Sequence, residues 1–282
     1  MASSSRFLVL AFLLTGATSA FSQSFYAIRR ERSLIGYVGF GTATYFGELS
    51  SQKTSITPLK YGVNVGLEHF LTNRISARAE ATWFQLSGTD AKAIESTKPR
   101  NLSFTSNCIE GNVAATINLL PNGRRFYQRQ SVNLYAFLGI GFVYANPKTL
   151  YNGEMVALQP LQTEGVKYSR LHPVIPFGGG AKFKVGPFFN VAIEGGMRKT
   201  FTDYLDDVSR RDYPDPASLS SDLARELSNR SPGRTVQVRG NPDTKDWYFM
   251  MTAKVQYYLP YDMSSFKRNK LYTQKRKYNR RR

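Results

Sequence analysis

Residues 60–71 read Lys60-Tyr61-Gly62-Val63-Asn64-Val65-Gly66-Leu67-Glu68-His69-Phe70-Leu71, and residues 74–83 read Arg74-Ile75-Ser76-Ala77-Arg78-Ala79-Glu80-Ala81-Thr82-Trp83. In the first run Tyr61, Val63, Val65, Leu67 and Leu71 fall on one parity, with Lys60, Gly62, Asn64, Gly66 and Glu68 on the other. In the second, Ile75, Ala77, Ala79, Ala81 and Trp83 oppose Arg74, Ser76, Arg78, Glu80 and Thr82. An apolar/polar period of two is the mark of a strand with two different faces. The tetrad Leu71-Thr72-Asn73-Arg74 between them is short enough for a tight turn.

Working outward, the same alternation returns along the chain. Ile109 to Leu119, Val132 to Tyr144, Phe177 to Val185, Phe189 to Arg198 and Trp247 to Leu259 all read as strands. Leu34 to Leu49 is an eighth candidate, rich in Gly and aromatics, whose faces stay unassigned. Val185-Gly186-Pro187-Phe188 is a second tight turn, and Pro121 to Gln130 is a connection of moderate length. The others are longer, about 48–59, 88–101, 146–173 and 201–244. Every short connection follows an even strand and every long one an odd strand. That is the pattern of an outer-membrane barrel, with short periplasmic turns, long outer loops and both termini in the periplasm. The predicted fold is all-β: an eight-stranded antiparallel transmembrane β-barrel spanning residues 34–259.

The polar parity decides between a membrane barrel and a soluble one. It carries Glu68, Arg78, Glu80, Glu110, Lys182, Lys184, Glu194, Arg198 and Lys254, whereas the apolar parity is nearly free of charge. An apolar core of a soluble sandwich could not hold those charges. The lumen of a small membrane barrel can, if they pair. The near balance of acids and bases predicts an inward ion-pair network that plugs the barrel, because eight strands leave just enough interior for side chains. Tyr61, Trp83, Tyr144, Trp247 and Tyr257 near strand ends suit aromatic girdles.

Composition and address narrow the function. The chain has 282 residues, 41% hydrophobic, with a formal net charge of +18, and a mean hydropathy of −0.36. No apolar run reaches the roughly 20 residues of a membrane helix. The charge invites a nucleic-acid reading. Residues 1–22 argue against it, for Arg6, the apolar Phe7 to Leu14 and the small residues Thr18-Ser19-Ala20 form a secretory signal pattern. Residues 23–33 then read as a periplasmic segment. Residues 260–282 form a basic periplasmic tail, in which Lys267, Arg268, Lys270, Lys275, Arg276, Lys277, Arg280, Arg281 and Arg282 face only Asp262. Interleaved Tyr258, Tyr261, Tyr272 and Tyr278 suit docking to an acidic partner or to anionic lipid; a solvated tail is the alternative.

Other candidate chemistry is sparse. Cys108, the single cysteine, excludes an intramolecular disulfide and a cysteine zinc cluster, and reads as a small packed residue. His69 falls at the periplasmic end of its strand and His172 in an outer loop, so they share no site. His172 with nearby Ser169 would be the one basis for an outer-leaflet enzyme, and no nucleophile elbow accompanies it. The acidic stretch Thr202-Asp203-Tyr204-Leu205-Asp206-Asp207, continuing to Asp215, lacks the D-x-D-x-D-G spacing of a calcium loop. It reads as a strand exit whose Asp side chains cap turns and pair with Arg198 or Arg210, without metal or cofactor. Ser218 to Leu227 is a short helix candidate.

Tyr45-Phe46-Gly47-Glu48-Leu49, Arg100-Asn101-Leu102-Ser103-Phe104 followed by Glu110, Tyr135 to Phe142, Leu158 to Gly165 and Thr202 to Ser209 together resemble a Bacteroidota outer-membrane barrel family that includes PorG, a type IX secretion component. The resemblance covers nearly the whole mature chain, and Thr202 to Asp207 is its most specific piece. It implies a non-enzymatic barrel anchoring or assembling a periplasmic secretion complex, with a ring lipoprotein and its partner as neighbours beside outer-membrane lipids. Neither nucleic acid nor a small-molecule substrate is expected. A general structural or adhesion barrel of OmpA-like type is the alternative, for which no wall-binding domain is recognisable.

Overall fold

The computed structural model describes residues 32–49, 59–92, 98–123, 126–231 and 238–260. The signal pattern, residues 23–31 and all nine basic residues of the tail lie outside them. The strands are β1 (Leu34–Phe46), β2 (Lys60–Phe70), β3 (Ile75–Thr89), β4 (Ser103–Asn118), β5 (Val132–Tyr151), β6 (Glu154–Ala157), β7 (Leu171–Val185), β8 (Phe189–Thr200) and β9 (Trp247–Tyr258). All pair antiparallel. The order β4-β3-β2-β1-β9-β8-β7-β5 closes through β4–β5, giving an eight-stranded barrel on which β6 extends only β5.

Alternation places the side chains as the two parities demand. Val38, Phe40, Val65, Leu138 and Ile140 stand on the exterior, Ile140 at 72% exposure. Asn64, Glu68, Arg78, Glu80, Glu110 and Glu194 point inward and are buried. An apolar belt around a polar, packed interior is the geometry of a transmembrane barrel. Strands of 11 or more residues rise about 3.3 Å per residue, enough to cross a hydrocarbon layer at a tilt. The belt is edged by aromatics: Tyr61 lies 6.0 Å from Trp83, Phe177 6.3 Å from Trp247 and Phe189 4.9 Å from Tyr257. β1 acquires its faces here, with Ile35, Tyr37, Ala43 and Tyr45 buried inside.

The short turns and the described termini share one end. Phe70 N donates to Ser33 O, Tyr258 N to Phe188 O and Leu259 N to Leu34 O. At the other end, β5 and β7 run farther than the sequence predicts. Their extensions contain Pro147, Pro173 and Pro176. Proline removes a ladder donor without preventing an extended strand. The β5–β7 ladder is broken only between Leu138↔Phe177 and Gly141↔Val174, opposite Pro176. His172, expected in a loop, is consequently a strand residue, paired with Val143 and buried inside. The helix α1 begins at Asp222 rather than Ser218, because Ser221 is the residue whose side chain caps it, accepting from Ala224 N at 3.1 Å.

Candidate functional site in the lumen and outer cap

The lumen is built in three layers. The middle layer is ionic. Arg78 on β3 meets Glu194 on β8 through bonds of 2.5 and 3.2 Å. Lys254 on β9 reaches Glu80 Oε2 at 2.6 Å and Glu194 Oε1 at 2.9 Å. Lys182 on β7 meets Glu68 on β2 at 2.7 Å. Arg198 lies 3.7 Å from Glu110, whose carboxylate also accepts from Tyr248 at 2.7 Å and Asn112 at 2.7 Å. The side chains in these ion pairs are at most 8% exposed. Tyrosines complete the shell, Tyr37 donating to Glu80 and Tyr135 to Glu194. Each needs a neighbouring inward glycine: a Cβ on Gly66 would collide with the Tyr37 hydroxyl, and one on Gly180 would sit 2.9 Å from the Tyr135 ring. Of the nine charges on the polar parity, Lys184 alone stands outside the network. It donates to Tyr127 O at 2.9 Å, because its register is at the short-turn end of β7.

That end is closed by residues 119–123 and 126–131, which include the described part of the Pro121 to Gln130 connection. Phe126 packs with Ile35, Phe188 and Tyr258. Arg129 donates to Asn190 Oδ1 and to the carbonyls of Phe126, Pro187, Gly186 and Phe189, beneath the Tyr258 ring at 4.6 Å. Arg32 lies 4.3 Å from the Phe188 ring centroid and donates to Tyr258 O at 2.7 Å.

The opposite, long-loop end is an apolar layer under a polar cap. Phe84, Leu86, Phe104, Cys108, Val143, Val174 and Met250 from the strands pack with Leu49, Leu102, Leu158, Leu205, Val208 and Leu227 from the loops. The inward parity is therefore ionic at mid-barrel and apolar toward the mouth. The segment 202–207 is the centre of the cap. Asp203, Leu205, Asp206 and Asp207 are buried, while Thr202 and Tyr204 are half-buried. Tyr204 stacks on Tyr168 at 4.5 Å. Asp206 caps its own turn by accepting from Val208 N at 2.9 Å. Asp207 takes the left-handed conformation, φ 70°, tolerated by Asp better than by most residues. It accepts from Tyr168 Oη at 2.6 Å and from Thr163.

The expected pairing of these aspartates with Arg198 or Arg210 is not formed among the described residues. Arg198 turns inward to Glu110, and Arg210 donates its backbone N–H to Glu164. Two other arginines hold the cap instead: Arg100, named above only as the start of a motif, and Arg239, which no motif contains. Arg100 binds Asp90 at 2.7 and 2.8 Å and the carbonyls of Glu48 and Arg239. Arg239 pairs with Glu164 and donates to Asp207 O and Ser228 O. Their partners lie 10 to 139 residues away, so no local signal marks them.

Burial raises four aspartates at this mouth. Asp207 is pushed up to about 6 and Asp203 to about 7, while Asp206 and Asp246 are held well above the ordinary aspartate value, first by burial and then by nearby carboxylates, Asp246 and Glu48 at Asp206 and Glu48 and Asp203 at Asp246. His172 is 6% exposed, and its Nε2 has no hydrogen-bond partner. Ser169 is occupied by Leu171, whose backbone both accepts from and donates to its hydroxyl at 3.0 Å. No nucleophile–base pair forms between the two.

No protein-family model matches the chain, and no curated protein matches it. Among solved structures it is similar to Neisserial surface protein A, at 8% identity over 80% of this chain and 97% of that one, with a TM-score of 0.43. It is also similar to OprG of Pseudomonas aeruginosa, at 7% identity over 83% and 99%, TM-score 0.39. The outer membrane enzyme PagL is similar too, at 11% identity over 80% and 99%, TM-score 0.33. The barrel assignment stands on the strand pairing above.

Proposed function

We propose that this chain is a non-enzymatic outer-membrane barrel that anchors or assembles a periplasmic secretion complex of the type IX kind. The observation that carries the proposal is the filled lumen: a closed base, an ionic middle and an apolar layer under a knitted cap leave the barrel as a rigid post rather than a conduit. The preceding resemblance, whose most specific piece becomes the buried core of the cap, supplies the secretion context. Pro260 ends the described chain beside the short turns, since Leu259 N bonds to Leu34 O. That supports a tail projecting from the periplasmic end, where Lys267 to Arg282 would meet an acidic partner face.

Deleting residues 263–282 tests the docking role. The barrel should still fractionate with the outer membrane and show a heat-modifiable gel shift, while co-purification with the periplasmic ring lipoprotein and its partner falls. Undiminished recovery overturns tail docking. In a strain lacking the protein, type IX substrates should fail to reach the surface; normal display would instead favour a general structural or adhesion barrel.

A further inference from the structure

Glu48 leaves β1, Asp203 leaves β8 and Asp246 precedes β9, so three separate segments bring carboxylates to the long-loop mouth. One oxygen from each lies within 4.8 Å of the other two. Asp203 is 2% exposed and neither of its carboxylate oxygens has a hydrogen-bond partner; Glu48 Oε2 also has none. Nearby positive charge acts on the trio without an ion pair among the described residues. Arg100 is bound to Asp90 and two backbone carbonyls, and Lys245 donates to Pro242 O at 3.0 Å. The Tyr45 hydroxyl touches Asp246 at 2.5 Å and Asp206 at 2.8 Å. A hydroxyl has one hydrogen to give, so it satisfies only one of those two carboxylates, and the other takes a proton or a further positive partner.

We propose that Glu48, Asp203 and Asp246 bind a divalent cation of calcium type. Calcium–oxygen bonds of about 2.3–2.6 Å place opposite ligands roughly 4.6–5.2 Å apart, so oxygens within 4.8 Å of one another fit one coordination sphere. Magnesium, with bonds of about 2.0–2.1 Å and reluctant dehydration, suits a trio of protein carboxylates less well. Water enters past the half-buried Glu48 to complete the calcium shell. The ion removes the cost of an unpartnered buried carboxylate and fastens the exits of β1 and β8 to the start of β9. The D-x-D-x-D-G test misses such a site because its ligands are 155 and 43 residues apart in the chain, from 48 to 203 and from 203 to 246.

The test uses the full chain, folded in detergent and stripped with a chelator. Terbium is the probe, its luminescence sensitised by Tyr45 beside Asp246. Titration should give one saturable site from which calcium displaces terbium at concentrations at least about tenfold below magnesium. D203N and E48Q should each weaken terbium binding at least about tenfold, whereas D212N, at an exposed position, should not. Heat-modifiable migration reports that each variant is folded. E48Q, in a loop and half-buried, keeps the test decisive if D203N does not fold. Luminescence that never saturates, or that is unchanged in folded E48Q, overturns the site. So does a D203N protein that melts higher than wild type while neither protein binds terbium, because a proton then neutralises the cluster.

Discussion

Arg78 and Glu194 stand on opposite walls of the barrel. Around the ring β1, β2, β3, β4, β5, β7, β8, β9, strand β3 and strand β8 are four places apart, and the two side chains bridge the lumen in a two-bond ion pair. The partners are 116 residues apart in the chain. Lys182 and Glu68 repeat the relationship between β7 and β2. Such diametric struts exist only when all eight strands are closed and in register, so they make closure cooperative.

Removing one end of the strut strands the other. R78A should destabilise the folded barrel by about 3–5 kcal/mol, because Glu194 keeps a buried charge with less compensation. The paired apolar replacement R78M/E194M should cost much less than the sum of R78A and E194A. Urea unfolding in detergent micelles, followed by the heat-modifiable gel shift, measures both; additive losses would show that the pair acts as two independent residues.

The filled lumen predicts electrical silence. Wild-type protein inserted in planar bilayers should give no steady single-channel current. R129A should loosen residues 126–131 against the β7–β8 turn, detected as faster proteolysis at that end, yet remain silent. The ionic middle and the cap still close the barrel when the base does not.

Arg239 is the keystone of the cap, holding Glu164 and the carbonyls of Asp207 and Ser228. R239A leaves Glu164 buried without its ion pair, at a local cost of about 3–5 kcal/mol. Protease sensitivity within 201–246 should rise strongly, while heat-modifiable migration of the barrel is retained. Simultaneous loss of both would mean that cap and barrel unfold as one unit.

Asp207 predicts a pH response with a definite sign. Burial raises it to about 6 from an ordinary value of 3.8; Arg239 opposes the rise and Glu164 adds to it, while Thr163 and Tyr168 donate to the carboxylate. The folded cap therefore binds more protons than the opened one between about pH 4 and 6. This group's contribution weakens the cap as pH rises through that window and is level above it. Hydrogen exchange of 201–209, corrected for intrinsic rates, should show that slope, and D207N should make it shallower between about pH 4 and 6, the slope of Asp203, Asp206 and Asp246 remaining. An unchanged slope in D207N would assign the response to other groups.

Much of this was legible in the chain because strand parity is a local property. Glu68 and Arg78 announce an inward face beside Val65 and Ala79 before any fold is known. The same parity undersold the mouth: Phe84, Leu86 and Met250 lie on the inward face too, and their apolar character is explained only by the loop residues Leu205 and Leu227 packed over them. The predicted strands stop short of Pro147, Pro173 and Pro176, whereas the observed strands run through all three and the β5–β7 ladder skips a bond at Pro176.

Local spacing alone set out the eight barrel strands in outline, two faces for seven of them, the alternation of short and long connections and the near balance of inward charge, since each follows from a few neighbouring residues. Only the tertiary structure decided which acid meets which base, that Lys184 serves the base instead of the middle, that Arg100, Arg129 and Arg239 fasten the two closures, and that Glu48, Asp203 and Asp246 converge. The physical reason is range. Parity is set within a strand, but a strut across a closed barrel or a cap tied over its mouth depends on shear and loop path, which place residues more than 100 positions apart within bonding distance.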